Sequence, residues 1–136
     1  MIKYVVGYLG AGLAFALIDA VWLTMVGPKL YRPTLDPVLA DQFALGPAIA
    51  FYLIYIAGIM ILAVSPAVKS GEWTQALVTG AILGFMCYAT YDLTSQAVLK
   101  VWSTKISVLD IAWGTFLTGA ASTAGFFATR WAERTF

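Results

Sequence analysis

The chain has 136 residues, of which 61% are hydrophobic and 11% are charged, and its formal net charge is +1. This balance excludes the strongly basic surface of a nucleic-acid-binding protein. With no histidine and a single cysteine, Cys87, the chain also lacks the residues for a disulfide, a typical zinc site or a histidine-based catalytic triad. We therefore expect no metal site and no cofactor.

The apolar residues come in runs of about twenty, which predicts an all-α, polytopic membrane protein. Four transmembrane helices are expected, in an antiparallel bundle whose short connections leave no room for a soluble domain. Each span is long enough to cross roughly 30 Å of hydrocarbon at about 1.5 Å per residue. A signal peptide is not expected, because Asp19 interrupts the first apolar run. The predicted spans are about 4–26, 47–64, 75–99 and 107–129.

The first connection is the longest, and its sequence predicts a short interfacial helix at about 36–45. Asp36 and Pro37 fit a helix start, and Gly46 with Pro47 fits a stop. This helix would cover one end of the bundle, and the alternative is a solvated linker. The lysine and arginine residues are divided equally between the two sides of the membrane, so the positive-inside rule gives no orientation.

Three acidic residues, Asp19, Asp92 and Asp110, fall within the predicted spans. A charge at mid-membrane costs about 2.5 to 3.5 kcal/mol, so such residues usually face a bundle interior or a watery cavity. Measured from the end that holds the first and third connections, Asp19 and Asp92 lie roughly 10 Å deep and Asp110 roughly 4 to 5 Å. A pocket in one half of the bilayer is the prediction. Two alternatives stay open: hydrogen bonds between helices, and for Asp110 a capping box with Ser107.

Aromatic residues accompany the acids into the same half of the membrane. On the third helix, polar side chains follow one another at helical spacing and form a continuous face. The segment LIDAVW (17–22) resembles VLDIAW (108–113), so that in oppositely directed helices each D-x-x-W would bring its acid near the other's tryptophan. The predicted ligand-binding residues are Asp19, Trp22, Tyr52, Tyr55, Tyr88, Tyr91, Asp92, Gln96, Asp110 and Trp113.

Two basic residues, Arg32 and Lys100, are predicted near the mouth of this pocket, as contacts to a lipid headgroup or as interfacial anchors. Gly80 and Gly84 form a G-x-x-x-G pattern that allows close helix packing, within one protomer or across a homodimer. Membrane lipids are the expected surroundings.

Three function classes remain open at this point. The first is binding, or transport, of a small organic molecule, a cation or a lipid headgroup by the acidic and aromatic pocket. The second is a small lipid-modifying enzyme that uses paired aspartates, although no recognisable catalytic motif accompanies them. The third is a structural or assembly subunit of a membrane complex.

The strings YATYDLT and DIAWG resemble a known group of small bacterial membrane proteins, domain-of-unknown-function family 2177. The resemblance covers essentially the whole chain, and one departure is Ser95, where the family pattern has an asparagine. It implies four membrane helices and no established activity. The location that we expect for such a protein is the bacterial inner membrane. The matching residues are Asp19, Trp22, Tyr31, Arg32, 51–58, 88–94, Trp102 and 110–114.

Overall fold

The computed structural model describes residues 1–39 and 44–136, and within these ranges the chain is helical with no strand. The all-helical prediction is therefore confirmed. The elements are α1 (Ile2–Met25), α2 (Gly27–Leu30), α3 (Arg32–Leu35), a 3-10 turn (Asp36–Val38), α4 (Leu45–Ile59), a π-helical turn (Met60–Val64), α5 (Ser65–Ser70), α6 (Trp73–Val98) and α7 (Thr104–Thr135).

Three helical segments of the described chain are long and apolar enough to cross a membrane: α1, the segment Leu45–Ser70, and α6. The outward surface of α1 shows why. Leu9, Leu13, Leu17 and Val21 follow one another at four-residue spacing, and each is more than half exposed. Such a continuous apolar stripe is stable against lipid and costly in water. The predicted fourth span, 107–129, lies within α7, which is not among these three segments.

The second segment continues beyond residue 64, where the prediction ended it before Pro66. Proline has no N–H and its ring clashes with the preceding helical turn. The wider π-helical turn at Met60–Val64 precedes Pro66, which then stands in the first turn of α5. The helix ends at Ser70, because Gly71 has a φ of +80° that suits glycine.

The first connection contains α2, α3 and the 3-10 turn. Leu30 and Leu35 are buried there against Ile106 at the start of α7, so this connection is fastened to the bundle. Of the predicted interfacial helix at 36–45, the described part is the 3-10 turn, and residues 40–43 lie outside the described residues.

The central element is α7, which packs along both α1 and α6. Small residues allow these close contacts: a β-carbon on Gly80 would meet Ser122, and one on Gly84 would meet Thr118. The first turn of α7 is capped by Ser103, whose Oγ accepts the N–H of Ile106 at 3.2 Å. The alternative of a capping box for Ser107 and Asp110 is therefore excluded, since both residues lie beyond the start of the helix.

Candidate functional site

A cavity of about 420 Å³ lies at the end of the bundle that carries the first connection and the α6–α7 connection. This volume is within the range of small-molecule sites. Six of the predicted ligand-binding residues line it: Asp19, Trp22, Tyr88, Tyr91, Asp110 and Trp113. The other lining residues are Leu23, Tyr31, Leu35, Phe51, Cys87 and Trp102.

Asp19, on α1, is held by donors from two other helices. Tyr52 of α4 donates its hydroxyl to Oδ2 at 2.5 Å, and the indole N–H of Trp113 on α7 donates to Oδ1 at 3.3 Å. Both carboxyl oxygens therefore accept a hydrogen bond, an arrangement that suits a carboxylate. Tyr52 does not line the cavity but fixes a carboxyl group that does.

Asp110, on α7, is held from the first connection. The hydroxyl of Tyr31 donates to its Oδ1, and the indole N–H of Trp22 donates to the Tyr31 oxygen at 2.9 Å. Burial and then the hydrogen bond to Asp110 raise the pKa of Tyr31 well above its ordinary value. Tyr31 therefore acts as a neutral donor toward the carboxyl group.

The two D-x-x-W segments meet at the cavity wall. The indole rings of Trp22 and Trp113 stack with centroids 4.4 Å apart and planes 12° from parallel. Each tryptophan donates toward the other helix's acid, Trp113 directly to Asp19 and Trp22 through the hydroxyl of Tyr31 to Asp110. The predicted proximity of each acid to the other segment's tryptophan is thus a direct hydrogen bond for Asp19 and a contact through Tyr31 for Asp110.

Another part of the cavity lining comes from α6 and the connection that follows it. Tyr88 packs so closely on Gly114 that a β-carbon there would overlap its ring. Tyr91 is 61% exposed and meets Trp102 edge to face, with ring centroids 5.9 Å apart. The wall is thus aromatic, while Cys87 adds an exposed thiol.

The remaining predicted residues lie outside the cavity. Tyr55 is buried in the bundle, where its hydroxyl is 2.7 Å from that of Thr118. Asp92 is fully buried between α6 and α7.

Gln96 belongs to a hydrogen-bond cluster centred on Ser107. The Ser107 hydroxyl donates to Oε1 of Gln96 at 2.6 Å and accepts the indole N–H of Trp102 at 2.9 Å. This cluster fixes Trp102, so Gln96 supports the cavity wall without lining it.

The two predicted basic contacts also lie outside the lining residues. Arg32 forms an exposed ion pair with Asp36, four residues further on, at 3.6 Å. Lys100 is exposed in the connection between α6 and α7. No lysine or arginine of the described chain lines the cavity. Nor does any group of three or more acidic or cysteine side chains in residues 1–39 and 44–136 have an arrangement that could hold a metal ion.

Of the six lining residues that were not predicted, Tyr31 and Trp102 are the two with a side-chain hydrogen bond at the site. Both lie in connections, where no helical period assigns a side chain to a face. Two signals could have identified them. The family resemblance includes both positions, and each is an aromatic residue in an otherwise polar connection.

The family model for "Predicted membrane protein (DUF2177)" matches residues 4–127. The chain belongs to this family. All the cavity residues named above fall within the matched part of DUF2177. No curated protein and no solved structure shows significant similarity to the chain.

Proposed function

We propose that this DUF2177 protein binds a small organic cation in the aromatic cavity at one end of its helix bundle. The observation that carries the proposal is the combination of charges and rings in the cavity wall. Asp19 and Asp110 supply acidic groups, and no basic residue of the described chain lies among the lining side chains. An anionic lipid headgroup would therefore meet negative charge without a positive partner, whereas an ammonium group would be attracted.

The aromatic side chains favour the same class of ligand. Trp22 and Trp113 stack and both line the cavity, and Tyr88, Tyr91 and Trp102 add three further aromatic rings to its lining. A cation over an aromatic face gains about 0.5 to 2 kcal/mol, and more rings enclose it more completely. Binding is preferred over acid–base catalysis because Asp19 already accepts hydrogen bonds from two donors.

We further propose that the protein crosses the membrane four times as an antiparallel bundle, with α7 as the fourth span. The exposed positions of α7 between residues 108 and 131 are all apolar, while Thr118, Ser122 and Thr129 are buried and Thr115, Thr123 and Arg130 are half-buried. This stretch is about 35 Å long. Gly84 of α6 lies next to Gly114 of α7, and Gly80 lies next to Ser122. Residue numbers thus decrease along α6 as they increase along α7, which supports an antiparallel arrangement of the two helices.

The location that we propose is the cytoplasmic membrane of a bacterium, on the strength of the family resemblance. The orientation of the protein in that membrane is defined by the side of the membrane to which the cavity opens. Labelling of Cys87 measures this side. Cys87 is exposed, lines the cavity and is the single cysteine of the sequence. An impermeant maleimide applied from one side of an oriented vesicle labels it only when the cavity opens to that side.

The binding proposal is tested with phenyltrimethylammonium and its uncharged isostere tert-butylbenzene, on protein purified in detergent. We expect the cation to slow maleimide labelling of Cys87 and the isostere to have little effect. Asp19→Asn should weaken cation binding by about tenfold or more, because it removes a carboxylate from the cavity wall. Asp36→Asn is the matched control, since Asp36 is exposed and pairs with Arg32. Equal protection by the two compounds, or equal weakening by both substitutions, would exclude a cation site.

A further inference from the structure

Asp92 differs from the other two membrane aspartates because it is buried without a donor. Its exposed fraction is 0%, and neither of its carboxyl oxygens has a hydrogen-bond partner among residues 1–39 and 44–136. Asp19, in contrast, has two donors, and Asp110 has one. An ionised carboxylate in such a place would cost several kcal/mol. Asp92 therefore needs a positive charge or a proton that the described side chains do not supply.

The groups around Asp92 are acidic or neutral. From α7 it faces the carboxyl group of Asp110, from the first connection the hydroxyl of Tyr31, and from its own helix Tyr91. The Ser107 hydroxyl of α7 lies 3.4 Å from the backbone carbonyl oxygen of Asp92, so α6 and α7 are in contact at this level. No lysine or arginine of the described chain is among the groups that act on its carboxyl group.

We propose that Asp92 and Asp110 hold one exchangeable proton between their carboxyl groups, and that a cation entering the cavity displaces it. One carboxylic acid can donate its O–H to the neighbouring carboxylate, so a single proton removes one charge and satisfies both groups. Asp110 is the link, because it lines the cavity and also faces the buried Asp92.

The exchange balances in charge and atoms. When the cation approaches Asp110, the shared O–H bond breaks, the proton passes through the cavity to water, and the cation takes over the positive charge. The protein thus exchanges one proton for one monovalent cation. This second half of the inference depends on the proposed cation site, whereas the shared proton does not.

The shared proton is tested without any ligand by infrared spectroscopy of the purified protein. We expect a carbonyl stretching band of a protonated carboxyl group at neutral pH, and we expect Asp92→Asn and Asp110→Asn each to abolish it. Asp36→Asn, which removes an exposed acid, should leave it unchanged. Asparagine keeps the shape of the side chain and supplies a donor in place of the proton, so the variants should fold. Absence of the band in the wild type, or its survival in Asp92→Asn or in Asp110→Asn, would overturn the proposal.

The coupling is tested by adding phenyltrimethylammonium to weakly buffered protein that contains a pH indicator. We expect one proton to be released per cation bound by the wild type and none by Asp92→Asn. Binding without proton release would overturn the coupling and leave the cation site intact. An infrared band without any cation binding would remove the proposed function and the coupling, and leave the proton site intact.

Discussion

The contact between Gly114 and Tyr88 gives the most direct test of how the cavity wall is built. Three atoms of the Tyr88 ring would lie within 3.0 Å of a β-carbon at position 114, closer than real β-carbons approach. Gly114→Ala must therefore move the ring by about 1 Å or separate α6 from α7. Overpacking of this kind costs about 1–3 kcal/mol. Because Tyr88 lines the cavity, the same shift should also weaken binding of phenyltrimethylammonium.

Gly58→Ala is the matched control for this substitution. Gly58 is also helical, but a β-carbon there would meet nothing within 4 Å. We expect this variant to be neutral or to gain up to about 1 kcal/mol from helix propensity. Unfolding of both variants in a mixed detergent, followed by circular dichroism, compares the two changes directly.

A double-mutant cycle identifies the clash itself. In the background of Tyr88→Ala the ring is gone, so Gly114→Ala should cost at least about 1 kcal/mol less than in the wild type. Costs that add without coupling, or a Gly114→Ala protein as stable as Gly58→Ala, would refute the packing that we describe.

Two further predictions concern the supports of the cavity. Because the pKa of Tyr31 is raised above 10.0, its proton is held more tightly in the folded state. The free energy of unfolding of wild type minus Tyr31→Phe should stay constant below about pH 10 and fall above it; parallel curves would contradict this. Ser107→Ala leaves the indole N–H of Trp102 without its acceptor and should destabilise by about 1–3 kcal/mol. Thr94→Ala, at an exposed residue bonded within its own helix, should change thermal unfolding by less than about 0.5 kcal/mol.

Much of the fold could be predicted because the signals are local. A run of about twenty apolar residues predicts a helix that can cross a bilayer without reference to any other segment. This is why α1 and α6 were found close to their observed bounds. The helical character beyond Pro66 could not be predicted in the same way, because it depends on the π-helical turn that precedes the proline.

Only the part of the candidate site that lies on helices could be predicted, and that part incompletely. Spacing grouped Tyr88, Tyr91 and Asp92 on one face of α6, but a face defined by i, i+3 and i+4 is wide. Consecutive residues differ by about 100° around the axis. Tyr91 therefore turns to the cavity and is exposed, while Asp92 turns into the contact with α7. The neighbouring helix decides which residue of this face is buried and which one lines the cavity. Spacing within α6 alone does not contain that information.

The similarity of the two D-x-x-W segments hides a difference between their acids that decides the proposed chemistry. Asp19 receives donors from α4 and α7, and both of its oxygens are occupied. Asp110 receives its hydrogen bond among the described residues from Tyr31, and its carboxyl group also faces Asp92. The two segments contribute stacked tryptophans to the cavity wall, whereas their acids have different partners: Asp19 is held from two helices and Asp110 from the first connection. A cation between the two acids would thus meet a carboxyl group held by two donors on the Asp19 side, and on the Asp110 side it would compete with the proposed shared proton. For this reason Asp110→Asn, but not Asp19→Asn, should remove the pH dependence of cation binding.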